Sequence, residues 1–554
     1  MENNKWLTHF GISLLLVFFL SQRVVCINNI QPVSYYVDTS TGIKTGKGTL
    51  REPFSSLTEI TSLILNPGDT VFLASGLTFA GSLVLNNVHG TESMPVVITT
   101  FYPENKKTEA ARIDAKGSSC GVLLTNCSYV KVENLIITAN GGQTTYDNGE
   151  NMTMRCGILV TTTRSGVYGH VVLSGLKIRD VFFEEKGFVR NAEEVRTANG
   201  TQHYGWGIRF INEREDASLE NLQVLNCEVK NTEHTGIKFT AINKSIKNIR
   251  VQDNLVTKTG GPGIQMSGVN GGIVKNNVVD SSGSCDDGRK WGRGSGLWTW
   301  STSDVLIEKN RFLNANGPGD SAGAHIDYNC RNIILQYNFS ANNAGGFCEI
   351  LGNNYNCAYR YNISVNDGYR IKGKDGAFQE GKIFWLSGYV GKDNPRGPFN
   401  SYFYNNTIYV KKDIVARFAI AKTSEGICIA NNMFIIEGES IEVEGDQYVV
   451  DKKGDADERR VFFENNLYLR VGSWPSSVLI HDAKPVYGNP EFHCAGGLAL
   501  TDYIPSNESL IRDKGTEIKP IAGDTIGLTI GLKVEKDILG NDILGKPDIG
   551  AIEM

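Results

Sequence analysis

Proline is scarce in this chain, at 15 of 554 residues, whereas glycine reaches 61. Low-complexity disordered sequence usually carries more proline, so this composition points to ordered structure with many tight turns. An excess of one charge is also missing: 55 Lys and Arg stand against 60 Asp and Glu, a formal charge of −5. That balance gives no electrostatic basis for a nucleic-acid or anionic-membrane partner. The 11 cysteines include no CxxC pair and no Cys/His spacing suited to zinc, so neither a metal nor another cofactor is expected. Cys120, Cys156, Cys227 and Cys428 read as small buried apolar residues. Cys348 has Cys330 and Cys357 as pairing candidates in an oxidising compartment. Beyond the N-terminus no apolar run approaches the length of a membrane span.

The N-terminus itself reads as an export signal over residues 1–26. Lys5 supplies the positive region, and Phe10 to Leu20 is an apolar stretch too short to cross a bilayer comfortably. Val24-Val25-Cys26 offers a cleavage site, while Arg23-Val-Val lacks the small residues of a lipoprotein box, which disfavours lipidation of Cys26. A periplasmic or extracellular monomer with no transmembrane segment in the mature chain is therefore expected.

What the sequence does contain is a loose repeat. Gly207-Ile-Arg-Phe210, Gly236-Ile-Lys-Phe239, Gly263-Ile-Gln-Met266 and Gly296-Leu-Trp-Thr299 each open on a glycine and alternate with period two. A second half-unit ends in asparagine at 254, 277, 310, 338, 362, 406, 432 and 466, at intervals of 23, 33, 28, 24, 44, 26 and 34. A basic spacing near 24 with irregular excess implies uniform coils carrying insertions. The period of two and the β-branched content exclude helices. The recurring Asn fits a stacked corner where left-handed backbone is tolerated and amides bond along a ladder. Boundaries follow at 27–117 for an N-terminal cap and first coils, 118–484 for the coil, and 485–554 for a closing segment. The cap includes a short helix starting within Arg51–Leu57.

The opening Tyr35-Tyr-Val-Asp38, the Gly-Ile and Asn-Asn rungs and the closing Asp548-Ile-Gly-Ala-Ile-Glu553 resemble secreted bacterial right-handed parallel β-helix proteins. The resemblance implies an all-β solenoid with a capped N-terminal end and an extended C-terminal tail. It says little about chemistry, because such folds carry many activities.

If the glycine-led strands turn Ile208, Phe210 and their equivalents inward, alternation sets an outward column of Arg209, Lys238, Gln265, Trp298 with Trp300, His325 with Asp327, and Glu349. Indole faces stack on sugar rings, and carboxylates bond hydroxyls. Asp327 and Glu349 are one coil apart, which would set them about 5 Å apart on adjacent strands, the spacing of a retaining glycosidase. Two registers compete. Counting from the asparagines sets Glu349 beside His325 with Asp327 diagonal; counting from the glycines would turn Glu349 inward.

Ala322–Asn329 and Gly346–Glu349 resemble the motif of β-helix retaining glycosidases of the β-xylosidase type. That resemblance implies Asp327 as nucleophile and Glu349 as acid/base. His325 would orient Asp327 or contact a sugar hydroxyl, Trp298 and Trp300 would form a platform, and Arg209, Lys238 and Gln265 would bind substrate. Glu233 and His234 are weaker candidates. Insertions at 141–155, 182–204, 283–294, 367–380 and 387–400 would form walls. The leading reading is a secreted glycoside hydrolase. A polysaccharide lyase using Lys238 or Arg209 as base and a non-catalytic carbohydrate-binding surface protein are the alternatives.

Overall fold

Alternating apolar residues, Val- and Ile-rich, build strands whose inward side chains fill one continuous interior. The computed structural model of the protein describes residues 31–554 apart from 103–108, 116, 142–144, 148–149, 199 and 445–459. The expected export signal with Cys26 lies outside the described residues. Among these, three sheets of 15, 12 and 14 strands run side by side, and every coil contributes to them in turn. Pairing within each of the three is parallel, from Ser34–Val37 with Thr70–Ala74 to Leu467–Tyr468 with Val486–Tyr487. The molecule is a right-handed parallel β-helix, the hand that parallel crossovers take. Near its start a five-residue helix, Leu57–Thr61, is capped by Ser56 and buries Leu57 and Ile60 in the interior.

Two devices fix the register between coils. The first is the glycine that opens successive rungs of the twelve-stranded sheet from Gly121 to Gly296. A Cβ on Gly207 would lie 2.3 Å from the Gly236 carbonyl oxygen, and one on Gly296 would lie 2.3 Å from that of Gly323. These glycines are required by close approach of the next rung.

The second is an asparagine ladder. The Oδ1 of Asn277 accepts both the backbone N–H and the Nδ2–H of Asn254, at 3.0 and 2.8 Å. The pattern repeats through Asn310, Asn338, Asn362, Asn406, Asn432 and Asn466. Asp482 ends it by accepting the Asn466 N–H and Nδ2–H. Each amide also bonds a carbonyl across the coil, as Asn338 does with Ile307. The expected left-handed backbone is displaced by one position. It belongs to the residue before each ladder Asn, including Lys309, Tyr337 and Tyr361 with φ of 56°, 57° and 51°. The turn is made first, and the asparagine after it aims its amide inward.

The C-terminal chain packs on the outside of the coil. Tyr503, Ile511, Ile538, Ile549 and Ile552 cover Phe339, Ile363, Tyr409 and Met433 of one sheet. Ile521, Leu528 and Val534 cover Ala358, Tyr402 and Tyr404 of another. The twelve-stranded sheet keeps its outer face for the insertions. No disulfide links the described cysteines. Cys330, Cys348 and Cys357 are buried in the interior cluster, where Cys330 contacts Thr299 and Cys357 donates to the Tyr355 carbonyl; the pairing considered for Cys348 is absent.

Asn338→Ala would strand the two Asn310 donors and remove two further bonds, so a loss of about 3 kcal/mol of unfolding free energy is expected in denaturant titration. A change under about 0.5 kcal/mol would show that the ladder does not hold the coil.

Candidate functional site

The pairing of the twelve-stranded sheet assembles the outward column residue by residue. Arg209 lies across from Lys238, Lys238 from Gln265, Gln265 from Trp298, and Trp298 from His325. Ile326 pairs with Ile350 and Ala322 bridges Gly346, so His325 faces Glu349, and Glu349 pairs with Trp385. The register counted from the asparagines is the correct one. Asp327 follows Ile326, the partner of Thr299, and so continues the row of Trp300, diagonal to Glu349. Direct adjacency of the two acids at strand spacing is therefore corrected to a diagonal relation, for which same-face neighbours lie about 7–8 Å apart at the backbone.

All eight residues of the column border one cavity of about 660 Å³, and Glu349 faces it rather than the interior. The insertions supply its walls. Gln202 comes from 182–204, Arg293 from 283–294, Arg370, Gln379 and Glu380 from 367–380, and Tyr389 from 387–400. Trp298 is 8% exposed and Trp300 39%, with ring centroids 6.5 Å apart in an edge arrangement. Trp300 thus offers a ring to solvent, while Trp298 is wedged between it and His325.

Three carboxylates meet here. Asp320 accepts Arg293 Nε at 2.7 Å and Nη2 at 3.1 Å, a two-point ion pair that holds its pKa below the usual range despite burial. It therefore stays ionised. Burial, together with the Asp320 charge, pushes Asp327 up to about 8. Glu349 is likewise raised by burial and by Asp320 and Asp327, with Lys382 and Arg370 opposing. Three buried anions in one cavity are costly, so the Asp327–Glu349 pair retains a proton near neutrality. The Trp298 indole and the Tyr328 backbone amide act in the other direction on Asp327, favouring its anion.

His325 is pushed down to about 4 by burial, and so is neutral; its Nδ1 lies 3.6 Å from Glu349 Oε1 and 3.4 Å from Ser295 Oγ. It sits against Glu349, whereas the expected partners were Asp327 or a sugar hydroxyl. Two ring nitrogens beside the acids, His325 Nε2 and Trp385 Nε1, are buried and make no hydrogen bond among the described residues.

Glu233 and His234 are structural. Glu233 binds Arg190 and the backbone N–H groups of Phe183 and Gly205. His234 stacks on Trp291 with centroids 4.5 Å apart and is packed by Tyr204 and Trp206, all fully buried. Tyr204 and Trp291, which lie in insertions expected to form walls, pack with Trp206 of the sheet and anchor those insertions instead.

Sequence reasoning passed over Asp320, Arg293, Trp385 and Asn354. Asn354 donates to the Asp327 carbonyl and accepts the Cys330 N–H at 2.6 Å, pinning the turn that carries Asp327. Its signal was present as an Asn353-Asn354 doublet like those of the ladder. Trp385 stood one coil after Glu349; Asp320 and Arg293 lie in loops with no repeat to locate them.

Residues 206–408 match a family described as right handed beta helix region. That segment holds the whole column. A lacto-N-biosidase of Bifidobacterium longum subsp. longum is 24% identical over 620 residues, covering 94% of this chain and 36% of the relative. The chain thus spans about a third of that relative's length. Among solved structures, a GH136 lacto-N-biosidase from Eubacterium ramulus aligns with 21% identity over 76% of this chain and 68% of the other, at a TM-score of 0.48. XylC in complex with xylose aligns with 12% identity over 94% and 98%, at 0.49.

The raised pKa values of Asp327 and Glu349 have a signed consequence. The folded pair holds a proton that the unfolded chain releases above about pH 4, so the pair's contribution to stability falls as pH rises from about 4 to about 8. Asp327→Asn removes that penalty. Its thermal midpoint is expected to exceed that of the wild type by about 1–3 °C at pH 8 and by less at pH 5. A variant less stable at both pH values would contradict the assignment of a buried carboxyl pair that shares a retained proton.

Proposed function

We propose that the protein is an exported glycoside hydrolase in which Asp327 attacks the anomeric carbon and Glu349 protonates the leaving oxygen. The observation that carries the reading is the meeting of these two carboxyls in one cavity walled by Trp298, Trp300 and Trp385. Glycoside cleavage needs one protonated and one ionised carboxyl on either side of the bond. The crowding of Asp320, Asp327 and Glu349 supplies that asymmetry, and the donors beside Asp327 favour it as the anion. The ring nitrogens of His325 and Trp385 would bond sugar hydroxyls. After attack, Glu349 as carboxylate would take the proton of the water that releases the sugar, giving net retention.

The similarity to lacto-N-biosidase supports a lacto-N-bioside linkage as the first substrate to try. A second reading pairs Asp327 with Asp320, favoured by the position of Asp320 on the same cavity and its electrostatic effect on His325, Asp327 and Glu349 alike. A lyase would instead need an ionised base and a charge sink at a uronate; the carboxyl cluster fits hydrolysis better.

The test uses p-nitrophenyl lacto-N-bioside and p-nitrophenyl β-xyloside with wild type, Asp327→Asn, Glu349→Gln and Asp320→Asn. Asp327→Asn is expected to lose activity by a factor of about 10³ or more, and Glu349→Gln about 10²–10⁴ on a natural aglycone but less on nitrophenol, which departs without an acid. The first product seen by NMR should keep the substrate's anomeric configuration. Wild-type turnover in Asp327→Asn would reject the reading. Loss in Asp320→Asn with activity preserved in Glu349→Gln would transfer the acid role to Asp320. An unsaturated product would identify a lyase.

A further inference from the structure

At the end of the cavity away from the acids, two cations stand side by side without a counterion. Arg209 and Lys238 are paired across adjacent strands, and each is only 8% exposed. Among the described residues neither makes an ion pair. Arg209 Nη1 reaches the Met154 sulfur at 3.0 Å, and its Nε is buried with no hydrogen-bond partner. Glu213 borders the same cavity and acts on Arg209 only at a distance. Both cations lie over one indole: the Arg209 guanidinium carbon is 4.3 Å and the Lys238 ammonium 4.4 Å from the Trp206 ring centroid. The ring face relieves part of the repulsion. It does not supply the anion that two buried, adjacent positive groups require.

We propose that Arg209 and Lys238 form a distal subsite for an anionic group, carboxylate or sulfate, carried by the glycan. A guanidinium fork beside an ammonium matches the paired oxygens of either group. The geometry also gives the reach. Lys238 stands three strands from His325 and four from Glu349, about 14 and 19 Å at the inter-strand spacing, with Gln265 and Trp298 between them. The anion would thus sit on a sugar some units from the bond at the acids, and the subsite would select acidic glycans over neutral ones of the same length. This inference rests on the cavity being a glycan site, as proposed above.

The experiment measures binding, not turnover, so that its failure is separable from failure of the catalytic assignment. Calorimetry on the Asp327→Asn protein compares three trisaccharides of one backbone: neutral, capped with a uronic acid, and sulfated on the terminal sugar. At least about tenfold tighter binding of one or both acidic forms is expected at low salt, shrinking at high salt. The uronic-acid and sulfate arms tell which group the subsite prefers. The preference should vanish when Arg209→Gln and Lys238→Met are added. If that triple variant does not fold, Lys238→Gln on the same background is read in its place and should lose most of the preference. Equal affinity for neutral and acidic forms, or a preference that survives removal of the cations, would overturn the proposal.

Discussion

The site depends on rung-to-rung register. In a sheet with side-chain period two, a slip of one residue would send Arg209, Lys238, Gln265, Trp298, His325 and Glu349 into the interior and expose the core. Two constraints prevent it. Glycines at the head of successive rungs let the next backbone come so near that no Cβ fits, and the buried asparagines at the far corner accept and donate only when stacked one above another. The first sets the start of those strands of the twelve-stranded sheet and the second the corner between the other two sheets. Between them, the column that faces the cavity has no freedom to shift.

This arrangement separates stability from chemistry. The interior is filled by Ile, Val, Leu and Phe, and the outer faces of two sheets are covered by the C-terminal chain. The third face is left to insertions, which carry Arg293, Asp320, Arg370 and Gln379 to the rim of the column. Arg370 is itself held by the carbonyls of Gly317, Asp320 and Gln379, so two insertions brace each other around Asp320. A rigid sheet supplies spacing, and the loops supply charge. The crowding of three acids beside an arginine-locked anion is unfavourable for folding and useful for proton transfer.

The fold was largely legible because repetition averages out local ambiguity. Gly-Ile-x-Phe and x-x-Asn-Asn recur often enough to fix period, face and interior, and the outward column followed from alternation alone. Legibility stopped where the repeat did. The diagonal placement of Asp327 against Glu349 depends on where the Gly346 rung begins, which the glycine count and the asparagine count set differently. Asp320 and Arg293 sit in irregular loops on successive coils, 27 residues apart in sequence, and no periodicity announces such a pair. Tyr204 and Trp291 belong to insertions expected to form walls, yet they are buried, because these insertions are held by a cluster packed on Cys156, Leu159 and Trp206 of the sheet's outer face. The left-handed turn was read at the ladder asparagine, since Asn tolerates it, but it falls one residue earlier, even where Lys or Tyr must adopt it.

The most direct test of the account is chemical. An activated, fluorinated glycoside of the sugar the protein hydrolyses would slow release of a covalent intermediate enough for peptide mapping by mass spectrometry. The account predicts a single adduct on the peptide carrying Asp327. An adduct on Glu349 or Asp320, or hydrolysis with no adduct and inverted product, would contradict it.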